Sequence, residues 1–272
     1  MSQEDSCMNK GINSFQLKVI GIILMVFDHI HQMFAFANVP MWLTMIGRVV
    51  APIFVFLSVE GFTHTRSKIK YMRTLLASYW IMFILSWALQ ILLPSDNVLM
   101  NSIFGTLFLC VLVMYSAEKI TNGVKERKWK NMLLGFSILL LPLLWTIVIF
   151  VTMAAEEPNI NFLRFCMFVF PSFLTVEASS YVLLALALYL LRRHRRLQLL
   201  SIVIYAVLCT GFDFSNLFTS NIQWMLVFSI IPLYFYNGEK GKSMKYFFYV
   251  FYPAHIYVLY IAAYLYQQHL MQ

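Results

Sequence analysis

The chain has 272 residues, of which 61% are hydrophobic and only 12% are charged, and its mean hydropathy is +0.73. Soluble domains contain about 45–50% apolar and about 25% charged residues, so this composition excludes an ordinary soluble protein. The net charge of +8 at pH 7 is also typical of nucleic-acid-binding proteins, but the distribution of the basic residues indicates membrane topology instead.

The ends of the chain and its cysteines add little to this framework. Residues 1–14 are polar and lack the basic region and cleavage site of a signal peptide, which predicts a cytoplasmic tail. A single helical domain is predicted over 15–266, followed by a short outer tail at 267–272. The four cysteines are scattered without a CxxC motif, so we expect no disulfide framework, zinc site or redox centre.

Successive apolar segments predict an all-α, polytopic helical bundle, because about 20 apolar residues are needed for one helical crossing. We place about nine crossings along the chain, at 15–37, 42–63, 71–93, 99–117, 131–154, 161–191, 197–212, 219–236 and 246–266. The sixth segment is too long for one straight crossing and contains Pro171. A kink, or a short broken segment followed by a full helix, is therefore expected there.

The basic residues alternate between successive loops. They fall at the start of the chain and in every second loop: Lys10, Lys18, Arg66, Lys68, Lys70, Arg73, Lys119, Lys125, Arg127, Lys128, Lys130, Arg192, Arg193, Arg195, Arg196, Lys240, Lys242 and Lys245. The intervening loops, near 38–41, 94–98, 155–160 and 213–218, contain none. The positive-inside rule then predicts a plasma-membrane protein with its N-terminus in the cytoplasm and its C-terminus outside. The RRHRR run at 192–196 is a topology anchor on this interpretation, and we expect no nucleic-acid partner.

Several ionisable residues are predicted to lie inside these apolar segments. A charge near the bilayer centre costs at least about 2.5–3.5 kcal/mol, so such a residue normally has a partner and a purpose. The set consists of Asp28, His29, His31, Arg48, Glu60, His64, Arg164, Glu177 and His255.

The depths of two of these residues agree. With a rise of about 1.5 Å per residue, Asp28 lies roughly 20 Å from the cytoplasmic face, and Arg48 on the second crossing lies ~21 Å from it. A short loop joins the first two crossings, so they should pack side by side. An ion pair between Asp28 and Arg48 is therefore predicted.

His29 is the predicted general base, because the ordinary pKa of histidine lies near physiological pH. Lys18 lies eleven residues earlier, on the same helix face and about 16 Å away. Between them, this stripe predicts a channel for a long ligand whose anionic end meets Lys18 and whose reactive end meets His29. The alternatives are a hydrogen-bonded helix contact for His29 and a snorkelling anchor for Lys18.

The remaining polar residues predict three further features. His255 lies about 13 Å into the last crossing and is either a second acid/base or substrate ligand, or a simple helix contact. Glu60, His64 and Arg66 predict a polar mouth for a cytoplasmic donor, the alternative being plain loop residues. Arg164 and Glu177 are candidate partners across the bent sixth segment, although Arg164 lies where it could also snorkel to headgroups. No metal site is expected, because His29 and His31 face different sides of their helix.

Three stretches resemble the TraX family of membrane proteins. They are LKVIGIILMVFDHI in the first crossing, IGRVVAPIFVFLSVEGFTHTR in the second and KYFFYVFYPAHIYVLY in the last. The family's best-known member is linked to N-terminal acetylation of a pilin, and the family is similar to transmembrane acyltransferases of the acyltransferase-3 type. In that group an Arg and a His separated by ten residues serve acyl-CoA binding and catalysis, and Lys18 and His29 match this spacing with Lys in place of Arg.

The resemblance implies an integral-membrane acyltransferase that moves acetyl from cytoplasmic acetyl-CoA to a hydroxyl or amine. The acceptor it implies is a small molecule, a glycan or an exported, pilin-like protein. On the residues alone, a proton-coupled transporter and a non-catalytic export or assembly scaffold remain alternatives, because the same buried charges would serve a proton relay or specify packing.

Overall fold

The computed structural model describes residues 11–95, 97–99, 103–176 and 179–270, apart from the side chain of Lys245. Helices account for the regular structure of these ranges, and no strand longer than an isolated bridge forms within them. The α-helices are α1 Ser14–Met33, α2 Trp42–Gly47, α3 Val50–His64, α4 Lys68–Leu92, α5 Ile103–Lys125, α6 Trp129–Met153, α7 Ile160–Val169, α8 Tyr181–Leu190, α9 Arg195–Cys209, α10 Ile230–Tyr234 and α11 Lys245–Leu270. Short 3-10 segments cover Ala35–Ala37 and Gln223–Ser229.

Six helical stretches of the described chain are long and apolar enough to cross a membrane. They are Ser14–Met33, Trp42–His64, Lys68–Leu92, Ile103–Lys125, Trp129–Met153 and Tyr246–Leu270. Shorter apolar helices at Ile160–Val169, Tyr181–Leu190 and Gln223–Tyr234 fall in the sixth and eighth predicted crossings. The predicted all-α membrane fold is therefore confirmed, while the count of nine crossings and the orientation stay predictions.

The chain forms two compact units. Met1–Leu57 and Leu191–Gln272 make the first, and Ser58–Leu190 makes the second. The first unit contains α1, α2, α9, α10 and α11. It therefore includes Asp28, His29, Arg48 and His255. The predicted single domain over 15–266 stays a prediction.

The predicted second crossing is interrupted at Arg48 and Val49, between α2 and α3. Pro52 has no backbone N–H to donate to the carbonyl of Arg48, and its ring collides with that carbonyl in a regular helix. As a result, α2 ends at Gly47, and Arg48 is its C-cap residue, in the turn between α2 and α3. The predicted crossing at 42–63 is therefore not one regular helix, and Pro52 is the local signal for the break.

The predicted sixth crossing is broken into α7 and α8, each ten residues long, with Pro171 between them. The break was predicted, but the full-length second helix was not found. Three side chains occupy the carbonyls at the end of α7: Trp145 Nε1 donates to Cys166 at 3.1 Å, Tyr79 donates to Met167, and Trp80 Nε1 donates to Val169 at 3.2 Å. These donors provide hydrogen bonds to backbone carbonyls that lipid cannot hydrogen-bond.

The start of α1 is tied to the loop that leads into α11. Asn13 caps the helix by accepting from the N–H of Gln16. The N–H of Ile12 donates to the carbonyl of Phe235 at 2.8 Å, and the N–H of Ser14 donates to the carbonyl of Glu239 at 2.8 Å. These hydrogen bonds bring α1 beside α11, and the two helices pack together.

Gly47 allows α2 to approach α1 closely, which gives the first prediction. A Cβ at Gly47 would lie 2.4 Å from Cβ of Asp28, so we expect Gly47→Ala to lower the free energy of unfolding by about 1–3 kcal/mol. Gly61→Ala is the matched control, because its Cβ would lie 3.4 Å from the Tyr71 hydroxyl, an ordinary contact. Thermal unfolding of the purified proteins in detergent measures both. Equal stability of the two variants would contradict the close approach of α2 to Asp28.

Candidate functional site

The carboxylate of Asp28, on α1, is surrounded by hydrogen-bond donors. Arg48 Nη2 lies 2.7 Å from Asp28 Oδ1, so the predicted ion pair is confirmed. Thr44 donates its hydroxyl to the same oxygen at 2.6 Å, and Gln32 Nε2 donates to Oδ2 at 3.0 Å. With both oxygens engaged, this carboxylate is suited to holding Arg48 in place.

The guanidinium of Arg48 is also held by Thr44, which lies one helical turn earlier. Its Nε donates to the carbonyl of Thr44 at 3.2 Å, and its Nη2 donates to the Thr44 hydroxyl at 3.0 Å. No hydrogen bond from Nη1 is found within the described part of the chain, and 20% of the Arg48 side chain is exposed. Two N–H groups of a rigid guanidinium therefore remain available to an acceptor atom.

The central contact of the site joins two helices that are far apart in sequence. Nδ1 of His29 lies 2.8 Å from Nε2 of His255, and both residues are buried, with 8% and 9% of their surfaces exposed. The ring of His255 also stacks on Phe251, with 5.1 Å between the ring centroids. This bond is the hydrogen-bonded helix contact predicted as the alternative role of His29 and of His255, and it makes the two rings partners of each other.

The partners of these rings determine their tautomers. Nδ1 of His255 lies 2.9 Å from the carbonyl of Phe251, which can only accept, so Nδ1 carries a proton. In a neutral ring, Nε2 of His255 then has the lone pair and accepts from Nδ1 of His29. It follows that Nε2 of a neutral His29 carries a lone pair and has the electronic form of a general base.

The stripe predicted between Lys18 and His29 is largely packed. Gly21, Ile22 and Met25 are buried, and a Cβ at Gly21 would lie 2.9 Å from the ring of Phe54. Nζ of Lys18 lies 5.3 Å from the ring centroid of Phe248, on α11. The channel along this face stays a prediction.

The other predicted site residues lie in the second compact unit. His64 is exposed, and its Nδ1 contacts the carbonyl of Glu60 at 2.9 Å and its carboxylate at 3.8 Å. Arg66 is exposed in the turn that follows α3, and Arg164 is exposed on α7. Glu177 lies outside the described residues, so its predicted pairing with Arg164 cannot be placed.

Two residues that donate to the carboxylate of Asp28, namely Gln32 and Thr44, were not predicted. Gln32 follows Asp28 by four residues and Thr44 precedes Arg48 by four, the spacing at which side chains share a helix face. That spacing was a usable signal. The described residues contain no group of three or more His, Cys, Asp or Glu side chains placed to hold a metal ion.

Long apolar helices, a partly buried ion pair and a buried histidine pair define a multi-pass α-helical membrane protein with a polar site inside its helices. The family model described as TraX protein matches residues 14–263, and the chain belongs to the TraX family. It is also similar to the "Probable fimbrial assembly protein FimC, serogroup H1" of Dichelobacter nodosus, with 29% identity over 271 residues, covering 92% of this chain and 96% of that protein. No solved structure matches the chain.

Proposed function

We propose that this protein is an integral-membrane acyltransferase, which moves acetyl from cytoplasmic acetyl-CoA to a hydroxyl or amine of an exported molecule. The observation that carries the proposal is the His29–His255 hydrogen bond, which leaves a lone pair on Nε2 of His29, the residue that follows Asp28 of the Asp28–Arg48 ion pair. Family membership and the name of the fimbrial relative support a pilus-related acceptor.

The reaction begins with His29 as base. Nε2 of His29 removes the proton from the acceptor O–H or N–H while the acceptor atom attacks the thioester carbon. The carbonyl π electrons move onto oxygen to give a tetrahedral oxyanion. When that oxyanion collapses, the C–S bond breaks, and the coenzyme A thiolate takes the proton from His29. An acetyl ester or amide and free coenzyme A result.

Arg48 is the proposed donor to the oxyanion. Nδ1–H of His255 is committed to the carbonyl of Phe251, and Nε2 of His255 accepts from His29, so His255 offers no N–H to the reacting oxygen. Arg48 retains the two N–H groups of Nη1 and is held by Thr44 and Asp28. A fixed, charged donor of this kind stabilises negative charge that develops in the transition state.

His255 is a positioning residue on this mechanism, and the second prediction tests that role. We expect His255→Ala to lower kcat by about 10- to 100-fold, part of the 10²–10⁴-fold that a general base contributes, while the KM for acetyl-CoA changes little. His255→Gln should recover part of the rate, because its side-chain carbonyl can accept from Nδ1 of His29. A change confined to KM, or equal rates for the two variants, would argue against the positioning role.

The proposed activity itself is tested by transfer of labelled acetyl. Membranes containing the protein should transfer the acetyl group of labelled acetyl-CoA to a membrane-associated or exported product, and membranes lacking it should not. The hydrogen-bonded histidines would also suit a proton relay, so a proton-coupled transporter is the second candidate. Solute flux into proteoliposomes without any consumption of acetyl-CoA would favour the transporter.

A further inference from the structure

The helical hairpin formed by α9 and residues 223–234 is too short to cross a bilayer. Helix α9 has 15 residues, which corresponds to about 22 Å. The returning arm combines seven residues of 3-10 helix with the five of α10 and extends about 21 Å. The hydrocarbon layer is about 30 Å thick, so both arms stop about 8 Å short of one surface.

The arginine-rich end fixes where this hairpin starts. Arg192, Arg193 and Arg196 are exposed there, and cationic side chains of this kind anchor a helix at the membrane surface. Nη2 of Arg195 donates to the carbonyl of Leu233 at 2.5 Å, which places the end of the returning arm beside the start of α9. The shortfall therefore falls at the opposite end, in the connecting segment 210–222.

The connecting segment satisfies many of its own backbone groups. The carbonyl of Asn216 accepts from the N–H groups of Thr219, Ser220 and Asn221 at 3.1–3.2 Å. The side-chain amide of Asn221 donates to the carbonyls of Thr210 and Asp213 at 3.1 and 2.7 Å. Internal partners of this kind lower the cost of moving irregular backbone out of bulk water.

Three phenyl rings are exposed on the same segment, among exposed polar residues that include Asp213, Ser215 and Asn216. Phe212, Phe214 and Phe218 are 67%, 61% and 64% exposed. The segment contains no Lys or Arg, and Asp213 is its one charged residue. Apolar surface of this size is costly to expose to water, and contact of the three phenyl rings with acyl chains removes that cost.

We propose that residues 210–222 form an interfacial tip, whose phenyl rings reach into the acyl chains while its irregular backbone and polar side chains lie at the headgroups. The phenyl rings contact acyl chains of the leaflet opposite the arginines, and Asp213 marks the headgroup level. This inference concerns how the protein sits in its membrane and does not depend on the acyltransferase activity.

Depth measurement with a spin label tests the tip. A nitroxide on a cysteine introduced by Phe214→Cys or Phe218→Cys, in vesicles of phosphatidylcholine and phosphatidylglycerol, should collide with oxygen more than with a water-soluble nickel chelate. A nitroxide introduced by Glu157→Cys is the matched control, because Glu157 is exposed in the loop between α6 and α7 and should show the opposite preference. Equal exposure of the three labels to the nickel chelate would overturn the proposal.

The unmodified protein provides an independent measurement. A phospholipid with a photoactivatable group on its acyl chain should attach to residues 210–222 as efficiently as to the exposed face of α6, which includes Leu144 and Phe150. The exposed segment 238–244 should remain unlabelled. Labelling of α6 without labelling of 210–222 would show that the tip lies in water.

Discussion

Replacing His29 by alanine is expected to lower the rate of acetyl transfer by about 10²–10⁴-fold, the usual contribution of a positioned general base. The ring is buried and its Nδ1 is committed to His255, so Nε2 is the nitrogen that the mechanism uses. The rate should be measured with purified protein in vesicles, with labelled acetyl-CoA at saturating concentration. The KM for acetyl-CoA should change far less than kcat, because the ring acts on the acceptor proton.

His31→Ala is the matched control for this experiment. His31 lies on the same helix, two residues further on and on a different face, and it is half-buried. Its replacement should leave acetyl transfer within about twofold of the wild-type rate, as an ordinary substitution away from the reacting groups does. If His29→Ala remains folded and transfers acetyl at the wild-type rate, His29 is not the base and the proposed mechanism fails.

Replacing Asp28 by alanine should have the largest effect on stability. It leaves the guanidinium of Arg48 inside the helices without its carboxylate, and removing one partner of a buried pair costs about 3–5 kcal/mol. The pair is somewhat exposed, at 13% for Asp28 and 20% for Arg48, so the lower end of that range is expected. Thermal or denaturant unfolding in detergent, compared with Gln32→Ala, measures the loss; Gln32 contributes one neutral donor to the same carboxylate and should cost much less.

A double variant separates stability from function at this pair. Asp28→Leu combined with Arg48→Met removes both charges, and apolar replacement of a buried pair is often neutral or stabilising. Under the enzyme proposal the double variant is folded but transfers acetyl slowly, because no guanidinium faces the oxyanion. Under the scaffold hypothesis restored folding restores the phenotype, and the exchange of Asp28 and Arg48 is also tolerated. Full acetyl transfer by the double variant would remove Arg48 from the mechanism.

The sequence predicted those parts of the site that local geometry controls. The rise of a helix and the thickness of a bilayer were enough to place Asp28 and Arg48 at the same depth, and the pair is present. Local signals were also sufficient, although overlooked, for the break at Pro52 and for the contacts of Gln32 and Thr44. The His29–His255 bond could not be predicted in this way, because its partners are 226 residues apart and nothing in their helices specifies which faces meet.

The amino-acid sequence by itself determined that this protein is a helical membrane protein, because the cost of placing polar backbone and charges in lipid leaves few alternatives for so apolar a chain. It also predicted that Asp28, His29, Arg48 and His255 lie inside the membrane, where ionisable side chains need partners. Only the tertiary structure decided which partners they have, since helix packing depends on side-chain shapes along whole helices and on the ties between Ile12, Ser14 and the loop before α11. The tautomers of His29 and His255 follow from that packing alone.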